Sequence, residues 1–262
     1  MDIAVAGSSG LGTVLGVGVG PTALLTALPA SPAAHVMLLT PRHLERRARE
    51  QAHVVVATHP TVRVGVLVLD HHALTLTLIG AAVQALRDTQ DGWSEPGAAV
   101  QLVGQAAARS RSIVWHPRVL RLRRPVPSLA QSAASLVRSG GYFVELGSDS
   151  GPSRGPGGFA PDGDEQLYAA EDVPALLRKQ LGDNEPRLVS VGAETDAPYR
   201  TRRSVELCGL AGPSWPPLSQ DDCEICGAAR PLTGCLFCGT GSSPRPPAGL
   251  SAPAAVPADL TA

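Results

Sequence analysis

The chain has few aromatic residues, which make up 3% of its 262 positions, and few charged residues, which make up 17%. Its core must therefore be built mainly from valine, leucine and alanine. Lysine is nearly absent, since Lys179 is the single lysine among the 22 basic residues. With a formal net charge of −1, no overall field draws the protein toward nucleic acid or an anionic membrane, so any such contact has to be local.

An unbroken apolar run long enough to span a bilayer is also missing. The longest charge-free stretch extends from Ile3 to Pro41, but three prolines and six glycines interrupt it, and its basic residues follow the apolar part. These features disfavour a membrane anchor or an export signal. The cysteine usage is typical of a reducing compartment, so we predict a cytoplasmic protein with no membrane partner.

From His35 onward, strand-like and helix-like runs alternate, which predicts an α/β fold with a mixed or mostly parallel sheet and flanking helices. Strands are predicted at residues 36–39, 54–57, 64–69, 74–78, 112–115, 119–122 and 142–146. Thr40 is expected to cap the first helix, and helices are also predicted at 80–87 and 98–109. Ser128 is expected to cap a further helix whose Leu129, Ala133, Leu136 and Val137 lie on one buried face.

Composition divides the chain into four parts. Residues 1–208 form the predicted α/β domain, with a mobile loop rich in glycine, proline and serine at 147–164. Residues 209–222 are predicted to be a linker, 223–239 a cysteine module and 240–262 a disordered tail. No internal repeat is found, and the oligomeric state is left open.

The cysteine module contains two CxxCG turns, formed by Cys223, Cys226, Cys235 and Cys238 with a glycine after each pair. Two residues between thiolates allow both sulfurs to reach one tetrahedral ion, and the glycine allows a tight turn after them. The module resembles the short zinc-ribbon family over residues 222–240, and this resemblance implies one structural Zn²⁺ per chain. Four thiolates would fill the coordination sphere and leave no position for a substrate.

Two other interpretations of the cysteine pairs remain open, namely redox disulfides and an iron–sulfur cluster. Arg230 is the only basic residue in the module, so a protein partner is favoured over nucleic acid. Cys208 is left without a predicted role.

Asp70, His71 and His72 follow the apolar run Val64 to Leu69. This triplet resembles the motif of the DHH phosphoesterases, and the resemblance implies that it helps to bind a catalytic Mn²⁺ or Mg²⁺. The earlier aspartate-rich motif of that family is missing from this chain. The alternative is a polar turn between two strands.

Glycines at positions 7, 10 and 12 follow the strand-like residues 3–6. The stretch resembles the phosphate loop of dinucleotide-binding folds, especially the short-chain dehydrogenases, with a spacing that differs by one residue. The alternative is a flexible apolar N-terminal segment. A third group, Arg118, Arg121, Arg123 and Arg124, is interpreted either as a phosphate-binding strand or as a charged edge strand.

No catalytic set is complete, so the sequence favours a non-enzymatic α/β protein whose zinc module serves protein interaction or assembly. The alternative is a metal-dependent phosphoesterase or a nucleotide-binding enzyme that uses Asp70, His71 and His72 or the Gly7–Gly12 loop.

Overall fold

A computed structural model of the protein describes residues 3–4, 13–17, 35–89, 96–120, 122–123, 125–137, 141–147, 151–154, 164–189, 191, 197–201 and 203–211. The strands are β1 (Ile3–Ala4), β2 (Thr13–Val17), β3 (His35–Pro41), β4 (Arg63–Leu69), β5 (Ser110–His116), β6 (Tyr142–Glu145), β7 (Ser153–Arg154), β8 (Gln166–Ala169), β9 (Arg187–Leu188) and β10 (Val205–Leu210). The α-helices are α1 (Glu45–Thr58), α2 (Ala73–Thr89), α3 (Pro96–Ala108), α4 (Leu129–Val137) and α5 (Ala175–Leu181), and a 3₁₀ turn at Arg42–Leu44 precedes α1.

The strands form two sheets. The first has the order β1-β2-β3-β4, in which β2, β3 and β4 run parallel and β1 is antiparallel to β2. The second has the order β7-β6-β5-β10-β8-β9 and is antiparallel except for the β8–β9 pair. The predicted α/β class with a mixed sheet and flanking helices is therefore confirmed.

Helices cover both faces of the first sheet. Successive side chains of β3 point to opposite faces, and since they are apolar, each face packs against helices. Val36 and Leu38 pack with Val55 of α1, whereas Met37 and Leu39 pack with the apolar side chains of α2 and α3. In the second sheet, one face packs against α5: this core consists of Ile113, Trp115, Phe143, Leu167, Ala169, Val173, Leu177, Leu181, Val205 and Leu207. The opposite face of this sheet is turned toward the N-terminal end of α2.

Three of the predicted strands are wrong. Residues 54–57 are the last part of α1, where Ala48, Ala52 and Val55 form a helical stripe. Residues 74–78 belong to α2, whose Leu74 and Leu76 are both fully buried. A helix that lies between two sheets is apolar on several sides, so its sequence imitates the alternation of a strand. The described residues between 119 and 122 form a turn, with Leu122 N–H donating to the Val119 carbonyl.

The N-terminus of α4 is as predicted, but its buried face is not. Ser128 and Gln131 form a reciprocal capping box, with N–H to side-chain oxygen distances of 3.2 Å and 2.8 Å. Leu129 and Leu136 were expected to be buried, yet they are 91% and 62% exposed. Thr40 likewise does not cap a helix, since it lies within β3 and Pro41 precedes the 3₁₀ turn.

The structure tests only part of the predicted division of the chain into a domain, a linker, a cysteine module and a tail. Ser153 and Arg154 form β7 within the segment predicted as a mobile loop, and β10 continues to Leu210. The cysteine module and the tail lie outside the described residues. Within the described ranges, no helix has the length and apolar character that crossing a membrane requires. The cytoplasmic location stays a prediction.

Candidate functional site

A cleft of about 430 Å³ lies where the carboxyl ends of β3 and β4 meet the second sheet. Because the two strands are parallel, with Pro41 paired to Leu69, the residues that follow them emerge side by side. This edge of a parallel sheet is where ligands commonly bind in α/β proteins. The lining residues are Pro41, Arg42, His43, Leu69, Asp70, His71, Pro125, Glu145, Leu146, Gly147, Pro198 and Tyr199.

The polar part of the cleft contains an ion pair between the residues that follow the two strands. Arg42 Nε and Nη2 donate to the two carboxylate oxygens of Asp70 at 2.6 Å and 2.8 Å. The hydrogen bond from Arg42 holds the pKa of Asp70 below its usual value, and the pKa of Arg42 is raised by the same bond. Asp70 is therefore a carboxylate that is already engaged by a cation.

His71 connects the cleft to the interior of the protein. Its Nδ1 lies 2.8 Å from Ser112 Oγ, which donates in turn to Thr75 Oγ1 at 2.7 Å. Whether His71 Nδ1 donates to Ser112 or accepts from it depends on the tautomer of the ring. Burial lowers the pKa of His71, and the neighbouring His72 lowers it further. His71 is thus favoured as a neutral ring at the wall of the cleft.

His72 has a structural position. It is fully buried, and its Nδ1 accepts from the Thr75 N–H at 3.2 Å, as an N-cap of α2 does. Its Nε2 lies 2.9 Å from the Leu207 carbonyl and 3.2 Å from the Ile113 carbonyl. The ring therefore ties the start of α2 to two strands of the second sheet.

This geometry contradicts a metal site at Asp70, His71 and His72. Asp70 binds Arg42, His71 binds Ser112, and both ring nitrogens of His72 have protein partners. Within the described ranges, no group of three histidine, cysteine, aspartate or glutamate side chains is arranged to hold a metal ion. The phosphoesterase hypothesis is therefore wrong.

The dinucleotide-loop hypothesis fails for a topological reason. Residues 5–12 lie outside the described residues, but they join β1 to β2, and these strands pair antiparallel with Ile3 opposite Val17. A phosphate loop of that class joins a strand to a helix N-terminus.

The four cysteines of the predicted zinc module also lie outside the described residues, so the role of Cys223, Cys226, Cys235 and Cys238 stays a prediction. Cys208 is buried in β10, and burial raises the pKa of its thiol to about 12.

A buried ion pair lies behind the cleft, on the face of the second sheet that is turned toward α2. Arg200 Nη1 donates to Glu206 Oε1 at 3.1 Å, and its Nη2 donates to Glu171 Oε1 at 2.6 Å. Glu206 Oε2 lies 3.8 Å from His72 Nδ1. Arg200 is 8% exposed at its side chain and Glu206 1%, so each depends on the other for compensation of its charge.

His116, at the end of β5, is expected to make stability depend on pH. It is fully buried, its Nδ1 lies 3.2 Å from Thr201 Oγ1, and its Nε2 has no hydrogen-bond partner within the described part of the chain. Burial, with a smaller effect of Arg200, lowers its pKa from 6.5 to about 4. Between these values the unfolded chain binds a proton that the folded protein does not bind, so stability falls as the pH falls.

The expected loss is about 3 kcal/mol across this window, as an upper value. Urea unfolding at a series of pH values should show a steeper acid loss for the wild type than for His116→Gln. His71, whose pKa is also lowered, contributes the same pH dependence to both proteins. If the free energy of unfolding falls equally with pH in the wild type and in His116→Gln, His116 is not the group responsible.

Sequence reasoning missed Arg42 and Glu206. A signal for Arg42 was present, since it lies three positions after the predicted strand at 36–39, as Asp70 directly follows the strand at 64–69. For Glu206 the signal was a lone acid inside an apolar strand run.

No protein-family model matches the chain, and no curated protein matches it. Solved structures do. A DegV family protein from Eubacterium eligens, loaded with heptadecanoic acid, matches at 13% identity with a TM-score of 0.48, covering 77% of this chain and 81% of that one. The fatty acid kinase B3 protein of Streptococcus pneumoniae, loaded with linoleic acid, matches at 10% identity with a TM-score of 0.49, covering 76% and 79%. A fatty acid binding DegV family protein of Streptococcus agalactiae matches at 12% identity with a TM-score of 0.45, covering 79% and 81%.

These findings correct the functional hypothesis made from the sequence. The predicted role as a non-enzymatic assembly protein is contradicted, since the structures that this chain resembles are, by their titles, proteins loaded with or binding fatty acids. The four predicted zinc ligands lie outside the described residues, so the structural Zn²⁺ stays a prediction. The preference for a protein partner over nucleic acid stays a prediction.

Proposed function

We propose that the cleft at the carboxyl ends of β3 and β4 binds a long-chain carboxylic acid. The observation that carries this proposal is the composition of the cleft, in which apolar side chains surround one accessible guanidinium group. Its volume of about 430 Å³ falls within the usual range for small-molecule sites, roughly 300–1,000 Å³.

Arg42 is the residue that would receive the carboxylate. Its pairing with Asp70 uses Nε and Nη2 and leaves the Nη1 group outside that pair. The side chain of Arg42 is 69% exposed, so a ligand can approach it. A guanidinium offers five N–H donors, and it can therefore hold two carboxylates at different edges.

The apolar part of the lining suits an acyl chain. Leu69, Leu146, Pro125 and Pro198 present apolar surface, and the ring of Tyr199 stands edge-on to His43 at 5.6 Å between centroids. Each methylene group removed from water contributes about 0.8 kcal/mol. Gly147, whose φ is +80°, turns the chain at the end of β6 and keeps this wall close to Asp70.

The test is fatty-acid binding by delipidated protein, measured by displacement of a fluorescent fatty acid with heptadecanoic acid or linoleic acid as competitor. We expect Arg42→Gln to weaken acid binding by roughly tenfold, since it removes a charge-assisted hydrogen bond. We expect Asp70→Asn to strengthen it, because the competing carboxylate is lost. These opposite signs distinguish a carboxylate site from a general loss of structure.

Two controls accompany these variants. Arg46→Gln changes an arginine of α1 that is 93% exposed and pairs with Glu50 outside the cleft, so its binding should equal that of the wild type. Heptadecanol, which has the chain but not the charge, should bind Arg42→Gln and the wild type equally. If the wild type binds no acid, or if Arg46→Gln weakens binding as much as Arg42→Gln, the proposal is wrong.

A further inference from the structure

Helix α4 presents its apolar residues outward. Its inward side is polar or small: Ser135 is fully buried and donates to the Ser132 carbonyl, and Gln131 donates to the Pro152 carbonyl at 2.8 Å. Leu129, Ala133 and Leu136 follow the i, i+4, i+7 spacing of one helix face, and all three are exposed. An ordinary surface helix has the reverse arrangement, so this face has a role other than packing in the core.

The residues before α4 extend the apolar surface. Val126 is 81% exposed and Leu120 is 42% exposed. Within the described residues, four of the seven exposed large apolar side chains therefore lie between positions 120 and 136. We call Leu120, Val126, Leu129 and Leu136 the α4 surface. Large exposed apolar side chains concentrated in one segment indicate an interaction site, whereas single ones do not.

The chain segment that carries the α4 surface has charges of one sign. Residues 117–144 contain five arginines and no aspartate or glutamate, although the whole chain has a net charge of −1. Of these arginines, Arg118 and Arg123 are exposed in the structure. A nucleic acid is disfavoured as the partner, because leucine side chains make no favourable contact with phosphates. Residues 117–141 also contain no aromatic side chain that could stack on bases. Exposed leucine and valine beside exposed positive charge match the boundary of an anionic bilayer.

We propose that the α4 surface docks the protein peripherally on an anionic lipid bilayer. Val126, Leu129 and Leu136 would enter the boundary between headgroups and acyl chains, and Arg118 and Arg123 would face the lipid phosphates. Pro125 lines the cleft and precedes Val126, so the docked surface adjoins the cleft opening. The docking does not depend on the proposed ligand, since it uses residues outside the cleft.

The experiment measures co-sedimentation of the full chain with vesicles of phosphatidylcholine, alone or in an equimolar mixture with phosphatidylglycerol. No fatty acid is added, so failure here is distinct from failure of the proposed ligand. The wild type should bind the anionic vesicles and not the neutral ones. Leu129→Gln with Leu136→Gln should weaken binding by roughly a hundredfold, about tenfold for each side chain. Arg118→Gln with Arg123→Gln should weaken it by roughly tenfold and flatten its salt dependence.

Leu188→Gln is the matched control, because Leu188 is 60% exposed in β9, away from the α4 surface. It should bind like the wild type. The leucine variants keep the fold by expectation, since both side chains are exposed, and unfolding curves check this. Equal binding to neutral and anionic vesicles overturns the proposal, and so does unchanged binding of the double leucine variant. A dimer in solution that this variant dissociates also overturns it, because the surface is then an interface between two copies.

Discussion

Replacement of His72 by alanine is expected to lower the free energy of unfolding by about 3–5 kcal/mol. The side chain is fully buried, and its loss removes one hydrogen bond from each of three backbone groups: the Thr75 N–H, the Ile113 carbonyl and the Leu207 carbonyl. Each unsatisfied buried group costs about 1–3 kcal/mol, and the vacated volume adds a cavity term. Urea unfolding followed by far-UV circular dichroism measures the change.

Two further variants separate the roles of the ring. His72→Asn should recover the bond to the Thr75 N–H, because asparagine is a good N-cap, but not the bonds to β5 and β10. Its stability should therefore lie between those of the wild type and His72→Ala. His59→Ala removes an exposed histidine at the end of α1 and should change stability by less than about 0.5 kcal/mol. Equal stability of His72→Ala and the wild type would show that the ring does not tie α2 to the second sheet.

Glu206→Ala is expected to cost a similar amount, about 3–5 kcal/mol, because it leaves the buried Arg200 guanidinium with a single carboxylate partner. That partner, Glu171, is 39% exposed and compensates the charge only in part. Glu50→Ala breaks the exposed pair with Arg46 and should cost less than about 1 kcal/mol. Chemical denaturation of both variants makes the comparison.

A double replacement tests whether the cost comes from the uncompensated charge. Arg200→Met with Glu206→Leu removes both charges and keeps similar volumes, so it should recover most of the stability that Glu206→Ala loses. If the double variant is no more stable than Glu206→Ala, the loss comes from packing. Because Glu206 also lies 3.8 Å from His72, the effects of Glu206→Ala and His72→Ala are expected to be non-additive.

The buried polar residues connect these predictions to the cleft. A chain of hydrogen bonds runs from His71 at the cleft wall through Ser112 and Thr75 to His72. Each member of the chain has its partner fixed, which holds the His71 ring in one orientation. The interior of the protein therefore fixes the His71 part of the cleft wall, while Arg42 and Asp70 are exposed to solvent.

Several features followed from the sequence because they depend on residues close together in the chain. The strands at 36–39 and 64–69, the Ser128 cap of α4, and the position of Asp70 at a strand end are of this kind. A local pattern of apolar residues or a capping side chain favours the same structure almost wherever it is placed. The class of the fold was accessible for the same reason.

Other features were decided by the tertiary structure. Whether residues 74–78 form a strand or a helix depends on burial between two sheets, which no local period shows. The role of His72 depends on Leu207, 135 positions away, and that of Asp70 depends on Arg42, 28 positions away. The sequence by itself determined that a polar triplet follows a strand. Only the folded chain decided that one member binds a cation, one lines a cleft and one caps a helix, since these partners meet only when distant segments pack together.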